Sequence, residues 1–185
     1  MIETMQIQYQ HLLEPVLYRP SPYQDDRPPG VLIDMIVIHG ISLPPGEFGS
    51  NHIENFFCGQ LDFSLHPSYT SIASLRVSSH LLIKRMGEII QFVPFIKRAW
   101  HAGESFFQNK TNCNDFSIGI ELEGTDDLPY EKQQYEILAA VIRLLMKRYS
   151  AITKDRIVGH ADIAPGRKTD PGLVFNWKYL RGMLP

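Results

Sequence analysis

The sequence has little cysteine, no long apolar run and no excess of positive charge, and each shortage removes a class of protein. Two cysteines, Cys58 and Cys113, in 185 residues cannot build a disulfide framework and show no structural-zinc spacing. Two reduced thiols are the simpler expectation. No stretch approaches the roughly 18 apolar residues of a membrane span, so no membrane partner is expected. The opening MIETMQIQYQHLLEPV has Glu3 and repeated glutamines where an export signal needs a basic start and an apolar run, which makes the cytoplasm the expected location. A formal net charge of -2 and a pI near 6.4 offer no basic surface to a phosphate backbone, so nucleic acid is not an expected partner.

What remains is an ordinary globular composition, 44% hydrophobic and 21% charged, enough for a sizeable core in one folded unit. We read residues 1–185 as a single domain whose first thirty residues, ending in YRPSPYQDDRPPG, form an irregular surface arm. VLIDMIVIHG is a β-branched strand that closes on His39. NHIENFFCG reads as a short helix, and VSSHLLIKRMGEIIQFVPF as two strands around a turn at Arg85 to Glu88. In FSIGIELEG, Ile118, Ile120 and Leu122 alternate with Gly119, Glu121 and Glu123, predicting a core face and a carboxylate face.

Apolar residues at Tyr135, Leu138, Val141, Ile142 and Leu145 predict a helix over 130–149. Asp126 and Asp127 precede it and Lys147 and Arg148 end it, as the helix dipole prefers. RIV before His160 is a short strand, and NWKYLRGML a closing helix. Strands interspersed with helices predict an α/β fold with a central sheet covered by helices.

IVGHADIAPGRKTDPG gathers His160, Asp162, Arg167, Lys168 and Asp170 in one loop punctuated by proline and glycine. Connecting loops seldom concentrate such groups without a task. His39 and His160 both follow predicted strands, at the edge where open sheets present functional groups. Asp170 lies ten residues past His160, across a stiff loop able to fold back beside it. Two imidazoles and a carboxylate leave a fourth position open, the ligand logic of catalytic zinc. His80, inside a strand pattern, and His101, in AWHAGE, compete as ligands or as satisfied core histidines and rank lower. His11, His52 and His66 read as surface residues. Asp162 suits loop amides or the orientation of an imidazole. On pattern alone Glu121 reads as an exposed strand carboxylate and Lys168 as a solvated cation.

Four segments in order, VIHGISLPPGEFG, KRAWHAGES, CNDFSIGIELEGTD and GHADIAPGRKTDPG, resemble the cytoplasmic 1,6-anhydro-N-acetylmuramyl-L-alanine amidases of the AmpD type. That family shares the zinc amidase fold with phage lysozyme-type amidases and peptidoglycan recognition proteins. The resemblance runs from about Ser21 to Trp177. It implies a central mixed β-sheet flanked by helices, Zn2+ on His39, His160 and Asp170, and catalytic roles for Glu121 and Lys168. It further implies that Arg76, Trp100 and Arg167 line the muropeptide groove, Arg167 suiting a peptide carboxylate through its planar fork. The implied reaction is hydrolysis of the amide between anhydro-N-acetylmuramic acid and L-alanine in soluble anhydromuropeptides, by a monomeric chain. Gly40 departs from the family, which more often carries asparagine there. A wall-lytic amidase and a non-catalytic peptidoglycan-binding module are the rival readings.

Overall fold

A computed structural model describes residues 4–185. In chain order its strands are β1 Gln6–Ile7, β2 Leu13–Glu14, β3 Leu17–Tyr18, β4 Gln24–Asp26, β5 Met35–Ile41, β6 Leu81–Ile83 and β7 Ile89–Gln91. They continue with β8 Lys97–Ala99, β9 Phe106–Phe107, β10 Lys110–Thr111, β11 Ser117–Glu123 and β12 Ile157–Gly159. The α-helices are α1 His52–Phe57, α2 Lys132–Arg148, α3 His160–Ile163 and α4 Trp177–Gly182. Six strands form the central sheet in the order β12-β5-β11-β6-β7-β3. Only β6 and β7 pair antiparallel within it, so the sheet is mixed, as expected.

The period of two along a strand decides what each face does. Ile36 and Ile38 of β5 and Ile118, Ile120 and Leu122 of β11 turn to one face, where Leu138, Val141, Ile142 and Leu145 of α2 cover them. Truncating a side chain such as Leu138, which is fully buried, costs about 2–5 kcal/mol in cores of this kind. On the opposite face Met35, Val37 and Val158 meet Ala102, Cys113, Phe116 and Ile163. Alongside, Leu82, Ile90 and Phe92 pack on Ile53, Phe56 and Phe57. His39 and Glu121 share the strand parity of this second face, away from α2.

Three expectations shift. The first thirty residues, from residue 4 on, are not only an irregular arm: β1 pairs with β2, β3 extends the central sheet, and β4 pairs with β8. Met5 and Leu13 are buried, so this segment contributes to the core. Helix α2 begins at Lys132, and its start is set by Gln134, whose Oε1 accepts from the Glu131 N–H at 3.0 Å, rather than by Asp126 and Asp127. The whole of β11 is buried, so its second face is not solvated. Among the described residues no helix is long and apolar enough to cross a membrane.

Candidate active site

Three parallel neighbours, β12, β5 and β11, deliver their C-terminal ends side by side. Glu121 pairs in register with His39, and Gly159 with Ile38, so His160 emerges next to His39 as the chain leaves β12. The loop after α3 then returns: the Ala161 N–H donates to the Asp170 carbonyl at 2.9 Å, which brings the Asp170 carboxylate back to both imidazoles. Asp162 accepts from the Gly159 N–H at 2.7 Å, so its task is a loop amide. Tyr130 donates its hydroxyl to the Pro171 carbonyl at 3.0 Å, holding the loop from the α2 side. Gly172, at φ +83°, lies where a Cβ would meet the Asp126 backbone at 2.3 Å, so glycine alone lets the two loops close.

His39 Nδ1 and His160 Nδ1 are 3.0 Å apart, and Asp170 Oδ2 lies 3.3 Å from the first and 3.1 Å from the second. A tetrahedral ion with bonds of about 2.0–2.1 Å needs ligand atoms roughly 3.3 Å apart, so these donors fit one. The three residues form a cluster able to hold a metal ion. Burial, then the nearby His160, pull the His39 imidazole down to about 4, against the attraction of Asp170. Burial works to raise the Asp170 carboxyl, but the closeness of His160 and His39 outweighs it and holds it well below the usual carboxylate range. The cluster is therefore a neutral imidazole facing an ionised carboxylate, the protonation states that a cation selects.

Glu121 and Glu123 share a strand face yet have opposite environments. Glu123 accepts the Gly49 N–H at 2.7 Å and the Arg85 N–H at 3.1 Å, so both its oxygens hold loops in place. Glu121 Oε2 is buried with no hydrogen-bond partner among the described residues. Burial first, and then the Asp170 charge, push the Glu121 carboxyl well above its ordinary value, with Lys168 opposing. A buried polar atom without a partner costs about 1–3 kcal/mol, and a carboxyl so perturbed in a cleft is a candidate functional group.

His39, Glu121, His160, Lys168 and Asp170 line one cavity of roughly 230 Å³, with Leu43, Phe56 and Ile72 on its apolar side. Lys168 is exposed at its mouth. A larger groove of roughly 910 Å³ between β7 and α2 is lined by Glu88 and the Lys132–Glu136 ion pair and by none of those five residues. Arg76, Trp100 and Arg167 lie outside the lining of the small cavity. The Arg76 guanidinium sits 5.9 Å from the Tyr23 ring, which stacks on Trp100 at 6.2 Å, and Arg167 donates to the Ala102 and Glu104 carbonyls.

His11, His52 and His66 are half-buried rather than surface residues, bonded respectively to Tyr149, Tyr69 and Ser68. His80 and His101 are buried and lie outside the metal cluster; burial lowers both imidazoles. The sequence reading missed Tyr130, whose neighbours in the chain are ordinary loop residues.

A profile of N-acetylmuramoyl-L-alanine amidases matches residues 27–173. The chain belongs to that family. The amidase is 56% identical over 162 residues to the 1,6-anhydro-N-acetylmuramyl-L-alanine amidase AmpD of Escherichia coli (strain K12), covering 88% of each chain. It superposes on the crystal structure of a Se-Met AmpD derivative with a TM-score of 0.93 at 52% identity, covering 95% of this chain and 98% of that one. A further similar structure is the E. coli amidase AmiD in complex with the substrate anhydro-N-acetylmuramic acid-L-Ala-D-gamma-Glu-L-Lys, at 31% identity and a TM-score of 0.60, covering 85% of this chain and 60% of that one.

Proposed function

We propose that this amidase hydrolyses the amide between anhydro-N-acetylmuramic acid and L-alanine in soluble anhydromuropeptides, as a zinc-dependent step of peptidoglycan recycling in the cytoplasm. One observation carries the reading: a buried carboxyl, Glu121, whose Oε2 has no hydrogen-bond partner among the described residues, shares a small cavity with two imidazoles and a carboxylate spaced for one ion. The similarity to AmpD over most of both chains supports the choice of substrate.

His39, His160 and Asp170 would hold the zinc. When bound, the metal supplies a Lewis acid that brings the pKa of water to about 7 and polarises a carbonyl. Glu121 takes the proton from the attacking water and returns it to the leaving nitrogen of L-alanine, for which a carboxyl free of structural bonds is suited. Lys168, at the cavity mouth, sets its ammonium toward the oxygen that gains charge as the amide carbon becomes tetrahedral. Arg76, Trp100 and Arg167 would meet the sugar and the stem peptide beyond the cavity.

The test offers purified, metal-assayed protein both monomeric anhydromuropeptides and intact sacculi at matched concentrations of cleavable bond, with free stem peptide followed by mass spectrometry. Efficient release from the monomer and poor release from sacculi are expected. Equal or faster release from sacculi would overturn the recycling assignment in favour of wall lysis, and no release from either would remove the amidase activity.

A further inference from the structure

Within AWHAGE, His101 and Ala102 belong to no part of the proposed chemistry, yet they touch both imidazoles of the metal cluster. The Asn114 carboxamide oxygen accepts from the His101 and Ala102 N–H groups at 3.0 and 2.8 Å, which fixes two consecutive residues beside the cluster. The His101 ring lies flat against β11 where a Cβ on Gly119 would come within 2.4 Å of it, so the absent side chain makes its seat.

Hydrogen-bond directions then follow one another. The Ser117 hydroxyl donates its single proton to the Cys113 carbonyl at 2.6 Å, leaving its oxygen free only to accept. It therefore accepts from His101 Nε2–H at 3.1 Å. His101 Nδ1 is left as a bare acceptor, 2.9 Å from His39 Nε2, so His39 carries its proton on Nε2 and turns an unprotonated Nδ1 to the cluster. His160 obeys the same logic by a shorter route. Its Nε2 lies 3.1 Å from the Ala102 carbonyl, which can only accept, so its bare Nδ1 also faces Asp170.

We infer that Ser117 and His101 are positioning residues that lock His39 in the tautomer a metal requires, acting through the chain Cys113 carbonyl, Ser117 hydroxyl, His101 imidazole. Outer partners of this kind orient a ligand before the ion arrives. The inference rests on the reading of His39 and His160 as metal ligands.

Two readouts test it. Long-range 1H–15N correlation spectra of zinc-free and zinc-loaded protein report which ring nitrogen of His101 carries the proton; Nε2–H is expected, and Nδ1–H in either state would overturn the inference. Zinc affinity, measured by competition with a chromophoric chelator, should fall about 10- to 100-fold in His101→Phe, which keeps the ring and loses the acceptor. His101→Asn should recover most of it, because its side-chain oxygen takes the place of Nδ1. Unchanged affinity in His101→Phe, or equal losses in both variants, would also overturn the inference. Should His101→Phe fail to fold, Ser117→Ala takes its place: zinc binding is expected to weaken and the His101 proton to lose its preference for Nε2, and no change in either sinks the idea. Zinc uptake by the wild-type chain tests the ligand reading separately, since the His101 tautomer is read with or without metal.

Discussion

Replacing Glu121 with glutamine keeps the shape of the side chain and removes both its charge and its ability to shuttle a proton. Two effects of opposite sign follow. Glu121 Oε2 has no hydrogen-bond partner among the described residues and the residue is 7% exposed, so ionising the group is costly in the folded protein. A neutral amide relieves the charge burial while keeping polar atoms in the same place, and the stability of zinc-free Glu121→Gln should equal or exceed that of the wild type. Against this, loss of general acid-base help lowers turnover by about 10²- to 10⁴-fold. Residues selected for chemistry often show this trade between stability and activity. The assay pairs urea unfolding of the zinc-free proteins with zinc content and release of stem peptide from anhydromuropeptide. Near-normal turnover in Glu121→Gln would remove it from the mechanism. A marked loss of stability with activity would make it a structural carboxyl like Glu123, whose oxygens hold the Gly49 and Arg85 amides.

Lys168→Ala should keep the fold and zinc and lose about 10²- to 10³-fold in rate, as removal of an oxyanion donor does; unaltered turnover would return Lys168 to solvent. His39→Ala, His160→Ala and Asp170→Ala should each abolish uptake of one zinc per chain or weaken it far more than His101→Ala, which keeps all three ligands and should still take zinc up, about 10- to 100-fold more weakly than the wild type; metal analysis at a zinc excess chosen to saturate His101→Ala distinguishes these outcomes. In the zinc-free protein, acid should destabilise the fold through buried histidines. Burial, then Arg27, holds His80 well below its ordinary 6.5, so its contribution is fully present above pH 6.5 and is lost as pH falls below it. A single such group steepens the dependence by up to about 1.4 kcal/mol per pH unit, the full slope being reached about one unit below 6.5, and urea titrations between pH 7 and 5.5 should show His80→Gln flatter by roughly 0.8 kcal/mol per pH unit on average.

The cluster of His39, His160 and Asp170 was legible in the sequence because strand ends are: β-branched runs stop at His39 and just before His160, and parallel strands align their ends. What distinguishes Glu121 from Glu123 was not, since both sit at alternate positions of one strand. Their difference is supplied by Gly49 and Arg85, distant in sequence, whose amides reach only the second carboxylate. The N-terminal pairing was equally hidden, because strands of two or three residues leave no periodicity to read. The start of α2 misled for another reason: Asp126 and Asp127 are acidic residues in the right general place, but Asp126 is engaged against Gly172 and the helix waits for Glu131 and Gln134.

Gly40 shows how a departure visible in sequence acquires a physical meaning only in the fold. A Cβ there would lie 2.3 Å from the Tyr130 hydroxyl oxygen. Tyr130 is 6% exposed and wedged beside Gly124 and Phe175, and its hydroxyl holds the Pro171 carbonyl, one residue past Asp170. A side chain at position 40 must push that hydroxyl away, which breaks a bond worth about 0.5–1.5 kcal/mol and loosens the loop that carries Asp170. Gly40→Ala should therefore lower both stability and zinc affinity. Because the clash is with the hydroxyl oxygen, Tyr130→Phe removes most of it, so Gly40→Ala should cost less in the Tyr130→Phe background than in the wild type. A double-mutant cycle read by unfolding and by zinc competition measures the coupling. Additive effects would mean that the two residues act independently, and the account of Gly40 as the space that lets Tyr130 hold the ligand loop would fail.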